Sequence, residues 1–95
     1  MITRIVKMTF APDGISDFLK VFEERRQFIA DFDGCRSVKL LQDVDHPFIF
    51  FTYSKWDTVE HLNRYRESEL FKNTWALVKV WFADKPDAWS VKDVE

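Results

Sequence analysis

Residues 48–53 read Phe-Ile-Phe-Phe-Thr-Tyr, and an extended run of that kind is apolar on both of its faces. Phe48 and Phe50 point one way; Ile49, Phe51 and Tyr53 point the other. A strand with one wet face alternates apolar with polar, so both faces of this one must be covered. A single layer of helices covers only one of them. The remaining face needs a second layer, and in a chain of 95 residues that layer has to come from another copy.

The flanking patterns place the other elements. Ile2 to Phe10 alternates, with Ile2, Val6, Met8 and Phe10 on one side, and reads as a first strand. Ala11-Pro12-Asp13-Gly14 ends it, and a helix follows from Pro12 or Asp13 to about Phe32. Its inward stripe is read as Phe18, Leu19, Phe22, Arg26 and Ile29, with Glu23, Glu24 and Arg25 largely outside it. Gly34 stops the helix. Cys35–Gln42 and Phe48–Lys55 form a hairpin around the turn residues Asp43 to Pro47. Asp57 with Glu60 makes a capping-box pattern that opens a second helix. A bend near Ser68 starts a further helical segment, Glu69 to about Ala83, with Leu70, Thr74, Leu77, Val78 and Trp81 on its core side. Pro86 forbids helix, and Ala88–Val94 is the last strand. The order β-α-β-β-α-β predicts one α+β domain over residues 1–95, a ferredoxin-like sandwich with both helices on one face of a four-stranded antiparallel sheet. Two such sheets face to face make a dimeric α/β barrel.

Composition narrows the partners. Ten Phe, four Trp and two Tyr are a heavy aromatic load that needs a large core, a pocket or an interface. Fourteen basic residues balance sixteen acidic ones without a polybasic run, so neither nucleic acid nor a membrane surface is indicated as partner. Cys35 is the only cysteine, which suits a reducing compartment. With no signal-peptide pattern and no run of membrane-spanning length, the expected location is the cytoplasm. His46 and His61 have no carboxylates at a useful spacing, so no metal site is expected. RNA-recognition modules share the element order, and residues 46–53 superficially echo their third-strand motif. Ile49 and Pro47 stand where that motif has glycines, however, and phosphate affinity needs more Lys and Arg than this chain carries.

His61, Tyr65, Ser68 and Trp75 recur at four-, three- and seven-residue spacings and share one helical face if the bend at Ser68 is slight. Each also has a purely structural reading. His61 follows a helix start and can stack on Trp56; Tyr65 can be core with its hydroxyl at the rim; Arg66 can pair with Glu67 or Glu69. Ser68 is a helix cap, Trp75 and Trp81 are core or wall, Trp89 is a dimer contact and Cys35 is an inert small hydrophobe.

The element order, Gly34-Cys35 after the first helix, the aromatic third strand ending in Trp56, and the Tyr65…Ser68-x-x-Phe71 run together resemble the antibiotic biosynthesis monooxygenase superfamily of dimeric α/β-barrel proteins. The resemblance covers nearly the whole chain. It implies a homodimer and a pocket between sheet and helices, but not one reaction, since members range from cofactor-independent oxygenases and quinol oxidases to haem-degrading enzymes and isomerases. The haem-degrading branch carries a Trp on the second helix and a haem-ligating His ten residues later. Tyr65 and Trp75 hold those places here, and residues 2–10 contain no Asn to match that branch's first-strand Asn. Trp75 cannot ligate iron, so haem chemistry is disfavoured.

The cofactor-free branch implies a protein that binds an aromatic ring, removes a proton and stabilises an oxyanion. On that resemblance Tyr65 and Arg66 are expected as oxyanion donors and His61 as base, with Phe22, Phe51, Phe71 and Trp75 as the wall around a small aromatic or quinol-type substrate. No cofactor is expected. Two rivals stay open: a non-catalytic dimer that binds an aromatic metabolite, and a barrel whose aromatics simply fill its core.

Overall fold

The computed structural model describes residues 1–95. Strand β1 (Ile2–Thr9) leads through a single 3-10 turn (Pro12–Gly14) into helix α1 (Ile15–Ala30). The hairpin β2 (Cys35–Gln42) and β3 (Ile49–Trp56) follows, then α2 (Val59–Arg66), α3 (Glu69–Val78), a 3-10 turn (Lys79–Trp81) and β4 (Asp87–Val91). The sheet order is β2-β3-β1-β4, antiparallel throughout, which is the ferredoxin-like arrangement. No helix is long and apolar enough to cross a membrane.

The core lies between the sheet and the helices. Phe10 is 1 % exposed at its centre, stacked on Phe18 at 4.2 Å and edge-on to Phe50 at 5.8 Å. Burying each such ring is worth roughly 2–3 kcal/mol, and each well-set aromatic pair about 1 kcal/mol more. Trp56 is completely buried at the end of β3, and its indole Nε1 donates to Ser54 Oγ at 3.0 Å, so its one polar atom is satisfied.

Local details depart from the sequence reading in instructive ways. The buried stripe of α1 is Phe18, Phe22 and Ile29, joined by part-buried Arg25, which donates to Thr74 Oγ1 at 3.1 Å. The expected members Leu19 and Arg26 are exposed; Arg26 instead lies over the Phe22 ring at 5.9 Å. Positions 18, 22, 25 and 29 follow the helical repeat more closely than a stripe through 26. The cap of α2 is Thr58, whose hydroxyl accepts from His61 N–H. Asp57 is drawn off by Arg36 in a two-pronged ion pair between the start of β2 and the end of β3. The last helix stops at Val78 rather than near Ala83, leaving Leu77 at 42 % exposure, and β4 ends at Val91 rather than Val94.

Gly34 is the only residue with positive φ, at 85°, and a Cβ there would collide with the His61 ring. The carbonyl of Gly34 also accepts from Asp57 N–H at 2.8 Å. The helix-to-strand turn and the start of α2 therefore lock together at a position only glycine fits.

Strand parity divides the apolar residues between two faces. Phe50, Thr52, Ser54 and Trp56 of β3 face the helices; Ile49, Phe51, Tyr53 and Lys55 face the other way. On that helix-free face a row runs from Tyr53 through Ile5 to Trp89, and Leu41 sits opposite Phe51. Trp89, Leu41 and Val91 remain 46 %, 45 % and 43 % exposed in the single chain.

Candidate functional site

The sheet and helices do not close completely. They leave a cavity of about 330 Å³, within the range of small-ligand sites. Its origin is visible along β3, where the large inward residues Phe50 and Trp56 flank the small pair Thr52 and Ser54. Val6, Val38 and Ala88 from the neighbouring strands continue that low floor. The roof is Phe22 of α1 with Leu62, Tyr65, Phe71, Trp75 and Val78 of the α2–α3 pair. Twelve of the 19 lining residues are hydrophobic, so the volume suits an apolar ring system with a few directed polar contacts.

The break between α2 and α3 sets the roof. Ser68 Oγ accepts from Phe71 N–H at 3.2 Å and donates to the Tyr65 carbonyl at 2.6 Å, ending one helix and starting the next. This turns a run of rings toward the sheet. Tyr65 stacks on Trp56 at 4.9 Å and meets Phe32 and Phe71 edge-on at 5.4 and 5.2 Å. Phe71 stacks almost parallel on Trp75 at 5.8 Å. Three rings hold Tyr65 in one orientation, yet its hydroxyl makes no hydrogen bond within the chain. Burial, and secondarily the nearby Cys35, pushes the Tyr65 phenol well above its ordinary range. It therefore stays protonated, which leaves it able to donate a hydrogen bond but not to serve as a base.

Two arginines complete the polar part. Arg66 ends α2, lines the cavity and is exposed to solvent on its other side. Arg4 takes an inward position on β1, paired in register with Ser54 and Ser90, and its Nη1 donates to Ser90 Oγ at 3.0 Å. Burial, then the positive charge of Arg66, lowers the Arg4 guanidinium's proton affinity. The ion pairs of the chain join Arg36 to Asp57 and Arg64 to Asp33, with His61 Nε2 also close to Asp33; neither Arg4 nor Arg66 has one. The only carboxylate in the lining is Asp87, on the exposed edge strand. No group of three or more His, Cys, Asp or Glu side chains is placed to hold a metal ion.

Of the residues singled out in the sequence, Tyr65, Arg66, Phe22, Phe71 and Trp75 come together in the cavity. His61 and Phe51 do not. The His61 Nδ1 is 2.7 Å from Thr58 Oγ1, its Nε2 is 3.7 Å from Asp33, and its ring covers Gly34. His61 is thus engaged in closing the helix start, away from the lining. Phe51 stands on the helix-free face because it is one residue out of phase with Phe50. Arg4, Thr52 and Ser54 were overlooked in the sequence. Their signal is polarity at inward positions of strands otherwise apolar there: Arg4 within Ile2-x-Arg4-x-Val6-x-Met8, and Thr52 and Ser54 between Phe50 and Trp56.

A family model described as antibiotic biosynthesis monooxygenase matches residues 1–77, and the chain belongs to that family. Among solved structures, it is similar to a candidate antibiotic biosynthesis monooxygenase from Nitrosomonas europaea, with TM-score 0.90 and 18 % identity over 100 % of both chains. It is also similar to Rv0793 from Mycobacterium tuberculosis, with TM-score 0.90 and 18 % identity over 99 % of this chain and 95 % of that one. A Bordetella bronchiseptica protein of the same description gives TM-score 0.87 at 24 % identity over 99 % and 97 %. Identities at this level carry the fold alone. No curated protein matches significantly.

The Tyr65 environment makes a prediction about stability. The folded phenol's pKa is raised above its unfolded value of 10.0. The stability tied to that proton is fully present below about pH 10 and is lost as pH rises above it, at up to about 1.4 kcal/mol per pH unit. Tyr65→Phe removes this component and no hydrogen bond. In urea titrations the variant should lie within about 1 kcal/mol of the parent at pH 7 and lose less stability than the parent above pH 10. Equal alkaline losses in both proteins would contradict the burial of the phenol.

Proposed function

We propose that this member of the antibiotic biosynthesis monooxygenase family binds a small aromatic of phenol or quinol type in the cavity and oxygenates it without a cofactor. The observation that carries this reading is an apolar cavity in which a phenol held neutral and an arginine with no carboxylate partner face the same space. An electron-rich phenol, once deprotonated, can itself reduce dioxygen. In the overall change a ring CH₂ in the keto form of the substrate becomes C=O. One oxygen atom is retained there, and the other leaves with the two hydrogens as water. The protein's share is to hold the ring, lower the cost of the oxyanion and keep bulk water from the reactive carbon.

Phe22, Phe71 and Trp75 supply the wall. Tyr65 donates a hydrogen bond to the developing oxyanion, and Arg66 adds a positive charge close by. For proton removal the lining contains no histidine and no lysine. Asp87 is its single side-chain proton acceptor, and the alternative is a substrate that ionises before it binds. That scarcity of bases favours a second reading: a module that binds an aromatic metabolite without turning it over.

Oxygen uptake separates the two. With an anthrone or hydroquinone as substrate, protein-dependent uptake is expected, and Arg66→Gln should reduce it by roughly 10- to 100-fold, the lower end reflecting solvent screening at this exposed position. Saturable binding of the same compounds without any oxygen consumption would sink the oxygenase reading and leave the binding module.

The same reading includes a homodimer built across the helix-free face. Support comes from the Tyr53-Ile5-Trp89 row and the Leu41–Phe51 pair, which leave apolar surface that a second sheet would bury. Phe51→Asp places a charge in the middle of that face without touching the cavity. Sedimentation velocity should show a dimer for the parent and a shift to monomer for the variant. A parent that sediments as a monomer at all concentrations would contradict the dimer.

A further inference from the structure

We propose that the ligand of this cavity carries a permanent anionic group, a carboxylate on its aromatic ring, gripped jointly by Arg4 and Arg66. The inference rests on the cavity being the ligand site and names the chemical class that site selects. Arg4 occupies a position where β1 otherwise turns apolar side chains inward, and a guanidinium partly withdrawn from water there gains from an anionic partner. Its one side-chain bond goes to a neutral hydroxyl, Ser90 Oγ at 3.0 Å, which orients the guanidinium without neutralising it. Arg66 reaches the same cavity from the opposite layer, also without an ion pair.

Arg4 and Arg66 are like charges lining one cavity, and the lowered proton affinity of Arg4 reflects its partial burial first and then the repulsion from Arg66. Asp87, the sole carboxylate in the lining, pairs with neither arginine. A transient oxyanion would be served by Tyr65 and one arginine. A second guanidinium, held by a serine on β4, is explained by an anion present in the ground state. The planar fork of a guanidinium matches a carboxylate in two parallel hydrogen bonds, and two such forks can share its two oxygens. The ring would then lie between Phe22, Phe71 and Trp75, with its carboxylate toward β4.

The test compares 1-naphthoate with its neutral isostere 1-naphthamide by isothermal calorimetry, using the parent, Arg4→Gln and Arg66→Gln proteins. The parent should bind naphthoate at least about tenfold more tightly than the amide, and added salt should shrink that advantage while leaving the amide unaffected. Each variant should lose most of the advantage and weaken amide binding far less than naphthoate binding, and retained amide binding reports an intact cavity. Because Arg66 is exposed, its variant tests the proposal even if replacement of Arg4 disturbs folding. Equal affinity for naphthoate and naphthamide in the parent would overturn the carboxylate grip and leave the ligand site standing. An advantage that survives in both variants would overturn the assignment to these arginines. Failure of both compounds to bind would overturn the ligand site and this inference together.

Discussion

Everything in this molecule is arranged around a central strand that cannot be left wet on either side. β3 pairs with β1 along one edge and β2 along the other. Its inward Phe50 and Trp56 anchor the packing of the helices, while its outward Phe51 and Tyr53 leave an apolar face that no element of the chain covers. The cost of exposing those rings, at about 25 cal/mol for each Å² of apolar surface, favours a second layer on that side. The helices meanwhile are free to specialise in the other face.

That division explains why a cavity survives in so small a domain. A tightly filled core would place a large residue at each inward position of β3. Thr52 and Ser54 interrupt the series, and the roof above them is built of rings that brace one another more than they press on the floor. The chain of contacts from Trp56 through Tyr65 and Phe71 to Trp75 keeps the space open without requiring the sheet to fill it. Polar groups then enter from opposite layers, Arg4 and Ser54 from the sheet and Tyr65 and Arg66 from the helices.

Much of this was legible in the residues. The strand pattern, Gly34, Pro86 and the Ser68 break led to the right element order, and family resemblance pointed to the space under α2 and α3. What was not legible depended on phase or on competition between partners. Asp57 carries the signature of a helix cap, but Arg36, distant in sequence, claims its carboxylate, and Thr58 takes over. With that shift His61 becomes part of the cap, which removes it from the cavity. Phe50 and Phe51 are indistinguishable by composition; only the register against Met8 and Lys7 decides which faces the helices. Arg4 was hidden because a charge within an alternating strand is usually read as the solvent side. Its inward place follows from its neighbours Ile2 and Val6, whose parity it shares.

The central claim is that the two faces of the sheet have different tasks, a ligand under the helices and a protein surface behind. The indole N–H resonances of the four tryptophans report on it directly, because Trp75 lines the cavity and Trp89 lies on the helix-free face. A naphthol titration followed by NMR, with Trp75→Phe and Trp89→Phe proteins to assign the signals, should shift the Trp75 resonance saturably and leave Trp89 in place. A saturable shift of Trp89 with Trp75 unmoved would put the ligand on the wrong side of the sheet and contradict the account.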